Sequence, residues 1–190
     1  IMKKYKYILC HKNMVNELIL FIKKFWNKNH ILTKDKILFD WQYKNNLTKN
    51  YNFILCISPN NKIVAVLGFI PINQFSKKIN FKNAAWLSIW INNNKIKSSG
   101  IGIGMINYLK NKIGIKDILN IGLNDSVIPI FKYLKYKTGV LDHNLIMNKN
   151  IKKFVILGNY KSQNKKHKSC TTNRNYQLKE LNLKDFKLYS

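Results

Sequence analysis

Residues 84–113 read AAWLSIWINNNKIKSSGIGIGMINYLKNKI, and the pattern of this stretch decides the fold. Residues 84–91 are mostly apolar, which is typical of a buried strand, and residues 92–99 form a polar loop. Glycines at alternate positions then open a helix whose apolar residues recur at helical spacing: Met105, Ile106, Leu109 and Ile113. A strand, a glycine loop and a helix in this order offer backbone N–H groups to a phosphate, because the first helical turn has unpaired donors.

The glycine loop, with Gly100, Gly102 and Gly104, is a weak signal when it is taken alone. Glycines let a pyrophosphate approach the backbone without a Cβ in the way, but a flexible loop before a helix has the same composition. A dinucleotide-binding fingerprint needs a third glycine where this chain has Met105, and a Walker A loop needs a terminal Gly-Lys-Ser/Thr that the stretch lacks. Both a phosphate-binding loop of another type and a flexible loop remain open here.

The residues around this loop resemble motif A of the GNAT acetyltransferase superfamily, Arg/Gln-x-x-Gly-x-Gly/Ala at the start of a helix. Residues 97–102, KSSGIG, match it with Lys97 at the Arg/Gln position. The resemblance implies that the loop binds the pyrophosphate of acetyl-CoA and that the preceding strand pairs with its pantetheine arm. The implied cofactor-binding residues are Ile89, Trp90 and Ile91 in the strand, and Lys97, Ser98, Ser99, Gly100, Ile101, Gly102, Ile103 and Gly104 in the loop.

Residues 124–136, NDSVIPIFKYLKY, resemble motif B of the same superfamily, Asn-x-x-Ala-x-x-Leu-Tyr-x-x-Leu-Gly-Phe, at every spacing. The resemblance makes Asn124 and Phe131 further cofactor contacts. Lys135 stands where the family usually has a glycine that ends the helix. Phe131 replaces the tyrosine that often protonates the leaving CoA thiolate, so Tyr133 or water becomes the candidate general acid.

Apolar periodicity and turn residues elsewhere in the chain predict further strands and helices. Strands are expected at 5–11, 51–58, 62–70, 84–91, 117–122, 137–148 and 152–157, and helices at 13–26, 33–43, 100–113 and 126–136. Together with the resemblance, this predicts an α/β fold: a GNAT-like mixed, mostly antiparallel sheet with a splayed central strand, flanked by helices. Residues 1–158 are expected to form this domain, and 159–190 a basic polar tail or linker, or the start of a truncated further element.

Two local predictions concern side chains near the expected site. Thr33 is predicted to cap the second helix. Strict alternation along the central strand predicts one face with Trp86, Ser88 and Trp90, and the opposite face with Leu87, Ile89 and Ile91. The two tryptophans would then stack on a sugar or adenine, or simply belong to the core.

Candidates for acceptor chemistry are Asp40 and His143. Asp40 lies beside Trp41 in a chain with only 8 acidic residues. In the resembled family the first two helices wall the acceptor site, so Asp40 is either a carboxylate that faces an amine or a solvated carboxylate among lysines. His143, in a predicted closing strand, would either deprotonate an ammonium acceptor or make a structural hydrogen bond.

The composition constrains the partners of the chain. Its formal net charge is +26, yet only Arg174 among the 34 basic residues is arginine, so an A/T-rich coding bias is indicated. Specific readers of nucleic acid use arginine freely, and we expect no specific nucleic acid partner. A basic protein that binds nucleic acid without specificity remains an alternative, marked by salt-sensitive binding. The positive field would also attract anions such as CoA or a nucleotide-linked sugar.

No apolar run approaches the roughly 18 residues that span a bilayer, and no signal-peptide pattern opens the chain, so a cytoplasmic protein without a membrane span is predicted. The cysteines Cys10, Cys56 and Cys170 lack CxxC or histidine spacing. They predict neither a disulfide framework nor a metal site.

The resemblance implies an N-acetyltransferase that moves an acetyl group from acetyl-CoA to a small-molecule amine, with backbone N–H groups of the central strand polarising the carbonyl. Residues 86–91 and 128–139 are similar to bacterial acetyltransferase-like proteins linked to surface polysaccharide synthesis, which implies a nucleotide-linked amino sugar as acceptor. The alternative is a non-catalytic CoA-binding or interaction module with the same fold. A homodimer is left open as the assembly.

Overall fold

The computed structural model describes residues 5–45, 48–76, 78–79, 83–96, 100–125 and 127–140. The strands are β1 (Lys6–Cys10), β2 (Tyr51–Ile57), β3 (Ile63–Pro71), β4 (Ala84–Asn92) and β5 (Asp117–Leu119). The α-helices are α1 (Val15–Phe25), α2 (Lys36–Tyr43), α3 (Ile101–Tyr108) and α4 (Ile128–Tyr133), and a π-helical turn, Leu109–Ile113, continues α3. Short 3₁₀ turns span Lys12–Met14, Ile31–Thr33 and Ile72–Gln74. Every strand and helix predicted before residue 137 is present, although β5 and α4 are shorter than expected.

The predicted closing strands and the tail at 159–190 fall outside the described residues, as does His143. Only residues 137–140 of the first closing strand are described, and they form no strand. The expected domain boundary at residue 158 stays a prediction.

The sheet has the strand order β1-β2-β3-β4-β5. The first three pairings are antiparallel and the β4–β5 pairing is parallel, which confirms the predicted mixed, mostly antiparallel sheet. β5 pairs with β4 only from Ala84 to Trp86. Residues 87–92 of β4 run past the last of these pairs, so the outer edge of the central strand has no described strand partner there. This is the splay expected of the central strand.

Helices cover both faces of the sheet. On the side called here the α2 face, α1 and α2 pack on Phe53, Leu55 and Val66. On the opposite side, the α3 face, α3 and α4 pack on Ile54, Leu67 and other inward residues. All seven residues of β2 are buried because it lies between the two helical layers, and its nearly continuous apolar sequence fits that environment.

A β-bulge at Ser88 corrects the predicted faces of β4. Phe69 pairs with Leu87 and Gly68 pairs with Ile89, so Ser88 is an extra residue between them. Alternation is interrupted there: Leu87 and Trp90 contact the α3 core, while Ile89 and Ile91 join the α2 core. The prediction that Leu87, Ile89 and Ile91 share a face was therefore wrong. Trp86 and Trp90 lie on opposite sides of the sheet and cannot act as a stacked pair.

The start of α2 also differs from the prediction. Asp35, not Thr33, is the N-cap, and its side chain accepts a hydrogen bond of 2.9 Å from the backbone N–H of Leu38. Thr33 is buried in the preceding 3₁₀ turn, where its hydroxyl donates to the carbonyl of His30 at 2.8 Å. Both residue types cap helices well, and the extra turn shifts the start of α2 by two residues.

Candidate active site

The N-terminus of α3 lies at the end of the loop that follows β4. Gly100 is the N-cap, with a φ of +88° that side-chain-bearing residues adopt only with strain, and no atom of the described residues lies within 4 Å of where its Cβ would be. The first-turn N–H groups of Ile101, Gly102 and Ile103 have no intrahelical partner. The N–H of Gly104 is committed, because it donates to the carbonyl of Gly100 at 2.8 Å. This end of α3 can therefore receive an anion, with positive helix-dipole charge behind the donors.

Two of the loop glycines have a packing role that the sequence did not indicate. A Cβ on Gly102 would lie 2.4 Å from Cζ2 of Trp90, and a Cβ on Gly104 would lie 2.1 Å from the hydroxyl oxygen of Tyr7. Both glycines thus let α3 pack closely on the sheet. The three residues predicted to precede them in the phosphate loop, Lys97, Ser98 and Ser99, are outside the described residues.

The other predicted cofactor contacts are distributed as follows. Trp90 lies on the α3 face, where its ring meets Phe131 edge-on at a centroid distance of 6.1 Å. The Nε1 of Trp90 is buried without a hydrogen-bond partner in the described part of the chain. The side chains of Ile89 and Ile91 belong to the α2 core, so only their backbone can line the open edge of β4. Asn124 is exposed in the loop before α4.

The structure does not bring Tyr133 to the Trp90–Phe131 contact. Phe131 is buried, whereas Tyr133, two residues later in α4, is 77% exposed. Tyr136 packs against Phe131 at 5.5 Å and has a buried hydroxyl that lacks a partner among the described residues. Burial and then the nearby charge of Asp117 raise the pKa of Tyr136, so this hydroxyl is protonated at neutral pH.

A polar network on the α2 face reaches the bulge, and sequence reasoning missed it. The Tyr43 hydroxyl donates to Oγ of Ser88 at 3.0 Å, and Nε2 of Gln42 donates to the Tyr43 hydroxyl at 3.2 Å. Nε2 of Gln74 donates to the backbone carbonyl of Gln42 at 2.6 Å, and Nδ2 of Asn52 donates to Oε1 of Gln74 at 2.7 Å. Tyr43 is fully buried and Ser88 is exposed. The network therefore connects the buried core to the exposed bulge residue Ser88.

Asp40 has partners of its own. Its carboxylate forms an ion pair with Lys36, one helical turn earlier, and accepts a hydrogen bond of 2.7 Å from the Tyr51 hydroxyl. Burial opposes ionisation, but the hydrogen bonds from Lys36 and Tyr51 outweigh it and hold the pKa of Asp40 below its ordinary value. An amine acceptor would have to compete with Lys36 for this carboxylate.

The depressed pKa of Asp40 predicts a pH dependence of stability. Above the unfolded-state pKa of about 4 the ionised carboxylate stabilises the fold, and this contribution is lost as the pH falls through the lower folded-state value. Since the pair is partly exposed, we expect Asp40→Asn to cost less than about 1 kcal/mol at pH 7. Urea unfolding of both proteins at pH 7 and pH 3 should show a smaller pH effect in the variant. Asp125→Asn, at an exposed position, is the control; an equal pH effect in Asp40→Asn and wild type would contradict the assignment.

Two features are absent from the residues that the structure describes. No group of three or more His, Cys, Asp and Glu side chains there could hold a metal ion. No helix among those residues has the length and apolarity that a membrane span requires.

Comparisons with known proteins show the fold. No family model matches the chain, and no curated protein matches it in sequence. Among solved structures, the chain is similar to the aminoglycoside acetyltransferase AAC(6')-Iy in complex with a bisubstrate analogue of CoA and acetylneamine. The TM-score is 0.52 and the sequence identity is 9%, and the match covers 76% of this chain and 99% of the other. An aminoglycoside acetyltransferase from an uncultured soil metagenomic sample is similar with a TM-score of 0.52 and 12% identity. The match covers 76% of this chain and 99% of the other. AAC(6')-Ih from Acinetobacter baumannii is similar with a TM-score of 0.50 and 11% identity, over 78% of this chain and 99% of the other. The chain thus has the fold of the GNAT acetyltransferases.

Proposed function

We propose that the protein is an N-acetyltransferase that transfers the acetyl group of acetyl-CoA to an amine. The observation that carries this proposal is the position of the α3 N-terminus, whose first-turn N–H groups have no intrahelical partner, beside a central strand whose outer edge has no described strand partner after Trp86. A helix N-terminus suits the pyrophosphate of acetyl-CoA, and an unpaired strand edge suits the amide groups of its pantetheine arm. The net charge of +26 favours the same polyanionic donor.

We assign different roles to the two faces of the sheet. The pyrophosphate would bind at Gly100 and the first turn of α3, and the pantetheine arm would follow residues 89–91 toward the point where β4 and β5 converge. The thioester would then lie close to the bulge at Ser88. We place the approach of the amine on the α2 face, where the exposed Ser88 contacts the buried Tyr43.

The residues around Phe131 indicate which group could protonate the leaving thiolate. Phe131 has no hydroxyl, and Tyr133 is exposed on another side of α4. We therefore assign the general acid to water rather than to Tyr133. His143 stays a proposed base, and the ion pair with Lys36 makes Asp40 a less suitable one.

The acceptor we propose is an amine on a neutral or anionic carrier, such as a nucleotide-linked amino sugar. Across α2, β4 and the turn Ile72–Gln74, the only carboxylate is that of Asp40, and it is paired with Lys36. Hydroxyl and amide groups and the exposed Trp41–Phe75 ring pair, 4.7 Å between centroids, are suited to a sugar. A polycation such as an aminoglycoside would meet a strongly basic protein with few free carboxylates.

A non-catalytic CoA-binding module is the second candidate, and the phenylalanine at position 131 favours it. Such a protein would bind acetyl-CoA with the same residues but would acetylate no amine. Turnover assays on a protein with demonstrated donor binding separate the two candidates.

Donor binding is tested by calorimetric titration of acetyl-CoA at physiological salt into wild type, Ile103→Glu and Ile103→Gln. Ile103 lies in the first turn of α3 and is partly exposed. A glutamate there stabilises the helix N-terminus but places a negative charge beside the phosphates, whereas glutamine has the same shape without charge. We expect wild type and Ile103→Gln to bind alike and Ile103→Glu to bind about tenfold or more weakly.

The outcomes distinguish the proposals. Absence of binding in wild type would refute both the acetyltransferase and the CoA-binding module. If Ile103→Glu and Ile103→Gln weaken acetyl-CoA binding equally, the phosphates do not bind at the N-terminus of α3. If wild type binds acetyl-CoA, the next assay measures thiol release from acetyl-CoA with two acceptors, a UDP-linked amino sugar and kanamycin. We expect turnover only with the UDP-linked amino sugar.

A further inference from the structure

The direction of the hydrogen bonds at Ser88 singles out its hydroxyl. Tyr43 is fully buried, so its proton must be donated within the protein, and Ser88 Oγ accepts it at 3.0 Å. Gln42 Nε2 donates to the same tyrosine oxygen, which orients the tyrosine proton away from Gln42. Burial raises the pKa of Tyr43 to about 12, and this donor therefore persists at neutral pH. Ser88 thus receives a hydrogen bond through its oxygen while its own proton can be donated outward.

The backbone places this hydroxyl in the part of β4 that lies beyond its described pairing with β5. Ser88 is the extra residue of the bulge, two positions beyond Trp86, where the described pairing with β5 ends. Gly68 lies opposite, and a Cβ there would come within 3.0 Å of Ser88 Oγ, so the glycine leaves room for this side chain. Ser88 is exposed, although Phe53 and Tyr43 beneath it are buried. A rigid base therefore supports a hydroxyl that solvent or a ligand can reach.

We propose that Ser88 donates a hydrogen bond to the carbonyl oxygen of the bound thioester, with Tyr43 as the residue that positions it. This inference rests on the proposed acetyltransferase function. A donor is needed where negative charge develops, and a fixed hydroxyl stabilises that charge without reorganisation during the reaction. Gln42, Gln74 and Asn52 lock the end of α2 and thereby the position of Tyr43.

The step is balanced without any further reactant. The amine nitrogen bonds to the carbonyl carbon, and the electron pair of the C=O double bond moves onto the oxygen that faces Ser88. The electron pair then returns, the C–S bond breaks, and the proton lost by nitrogen reaches the CoA sulfur through water. Ser88 keeps its proton throughout and contributes only the hydrogen bond.

The test measures the carbonyl stretching frequency of bound [1-13C]acetyl-CoA by infrared difference spectroscopy, which requires no acceptor. In wild type we expect the stretch to lie below that of free acetyl-CoA. Ser88→Ala should lose most of this shift, Tyr43→Phe part of it, and Ser88→Thr, which retains a hydroxyl, should keep it. Ser58→Ala, in the β2–β3 turn, is the control and should match wild type.

Calorimetry on the same samples separates this inference from the proposed function. We expect the affinity for acetyl-CoA to change by less than about threefold in every variant, because one neutral hydrogen bond to the ground-state carbonyl contributes little to binding. If Ser88→Ala binds normally and shows the wild-type stretch, the role of Ser88 is overturned while the acetyltransferase proposal stands. If wild type fails to bind, both proposals fail.

Discussion

Replacing Phe53 with alanine is expected to lower the free energy of unfolding by about 3–5 kcal/mol. Phe53 is fully buried in β2, stacks on Phe39 at 5.7 Å and contacts Tyr43 at 4.5 Å between ring centroids. Truncation would leave a cavity beneath α2, because the surrounding rings are held by the sheet and cannot collapse fully into the space. Urea unfolding, followed by tryptophan fluorescence, measures the loss.

A double-mutant cycle with Gly68 provides the control. A Cβ on Gly68 would lie 2.7 Å from Cε1 of Phe53, so Gly68→Ala should destabilise wild type. In a Phe53→Leu background the same change should cost much less, since leucine lacks the ring atoms that collide. An equal cost in both backgrounds would show that the Phe53 ring is not the obstacle. The result also bears on the proposed site, because Phe53 supports Tyr43 and Gly68 faces Ser88.

The second prediction with a large effect concerns Gly102. Gly102→Ala should destabilise the protein by about 1–3 kcal/mol, because its Cβ would overlap the Trp90 ring, which in turn packs on Phe131. The sign of this stability change is informative, since alanine in a helix interior otherwise stabilises by about 1 kcal/mol relative to glycine. Gly139→Ala is the control outside a helix and should leave stability unchanged, because no atom of the described residues lies within 4 Å of its Cβ position.

The same variant separates two explanations for this glycine. If packing against Trp90 is the reason, Gly102→Ala lowers stability and Gly102→Ala combined with Trp90→Phe recovers part of it. If Gly102→Ala is as stable as wild type yet binds acetyl-CoA more weakly, then the glycine serves the approach of the pyrophosphate instead. The binding test therefore uses Ile103, because a substitution at Gly102 would disturb the packing against Trp90 as well as the phosphate site.

Local sequence patterns predicted much of the architecture. The order of strands and helices up to α4 follows from apolar periodicity and turn residues, which act over a few neighbouring positions. The resemblance at the glycine loop and at residues 124–136 indicated the fold, and the observed sheet order confirms it. The position of the α3 N-terminus after β4 was likewise readable from the glycine spacing.

Features that depend on distant residues were missed. The bulge at Ser88 arises from pairing with Gly68 and Phe69 in β3, so the alternation of the β4 sequence misplaced Ile89 and Trp90. The choice of Asp35 over Thr33 as cap depended on how the preceding turn packs. Tyr43 and Ser88 are 45 residues apart, and no local signal connects them.

By itself, the sequence determined the α/β class, the order of the elements and the place where α3 begins, because hydrophobic period and glycine spacing act within one element. Only the tertiary structure decided which glycines serve packing, which face each β4 residue occupies, and which hydroxyl lies at the bulge of β4. Those properties follow from contacts between strands and helices that are far apart in the chain, where steric exclusion and hydrogen-bond satisfaction select the partners.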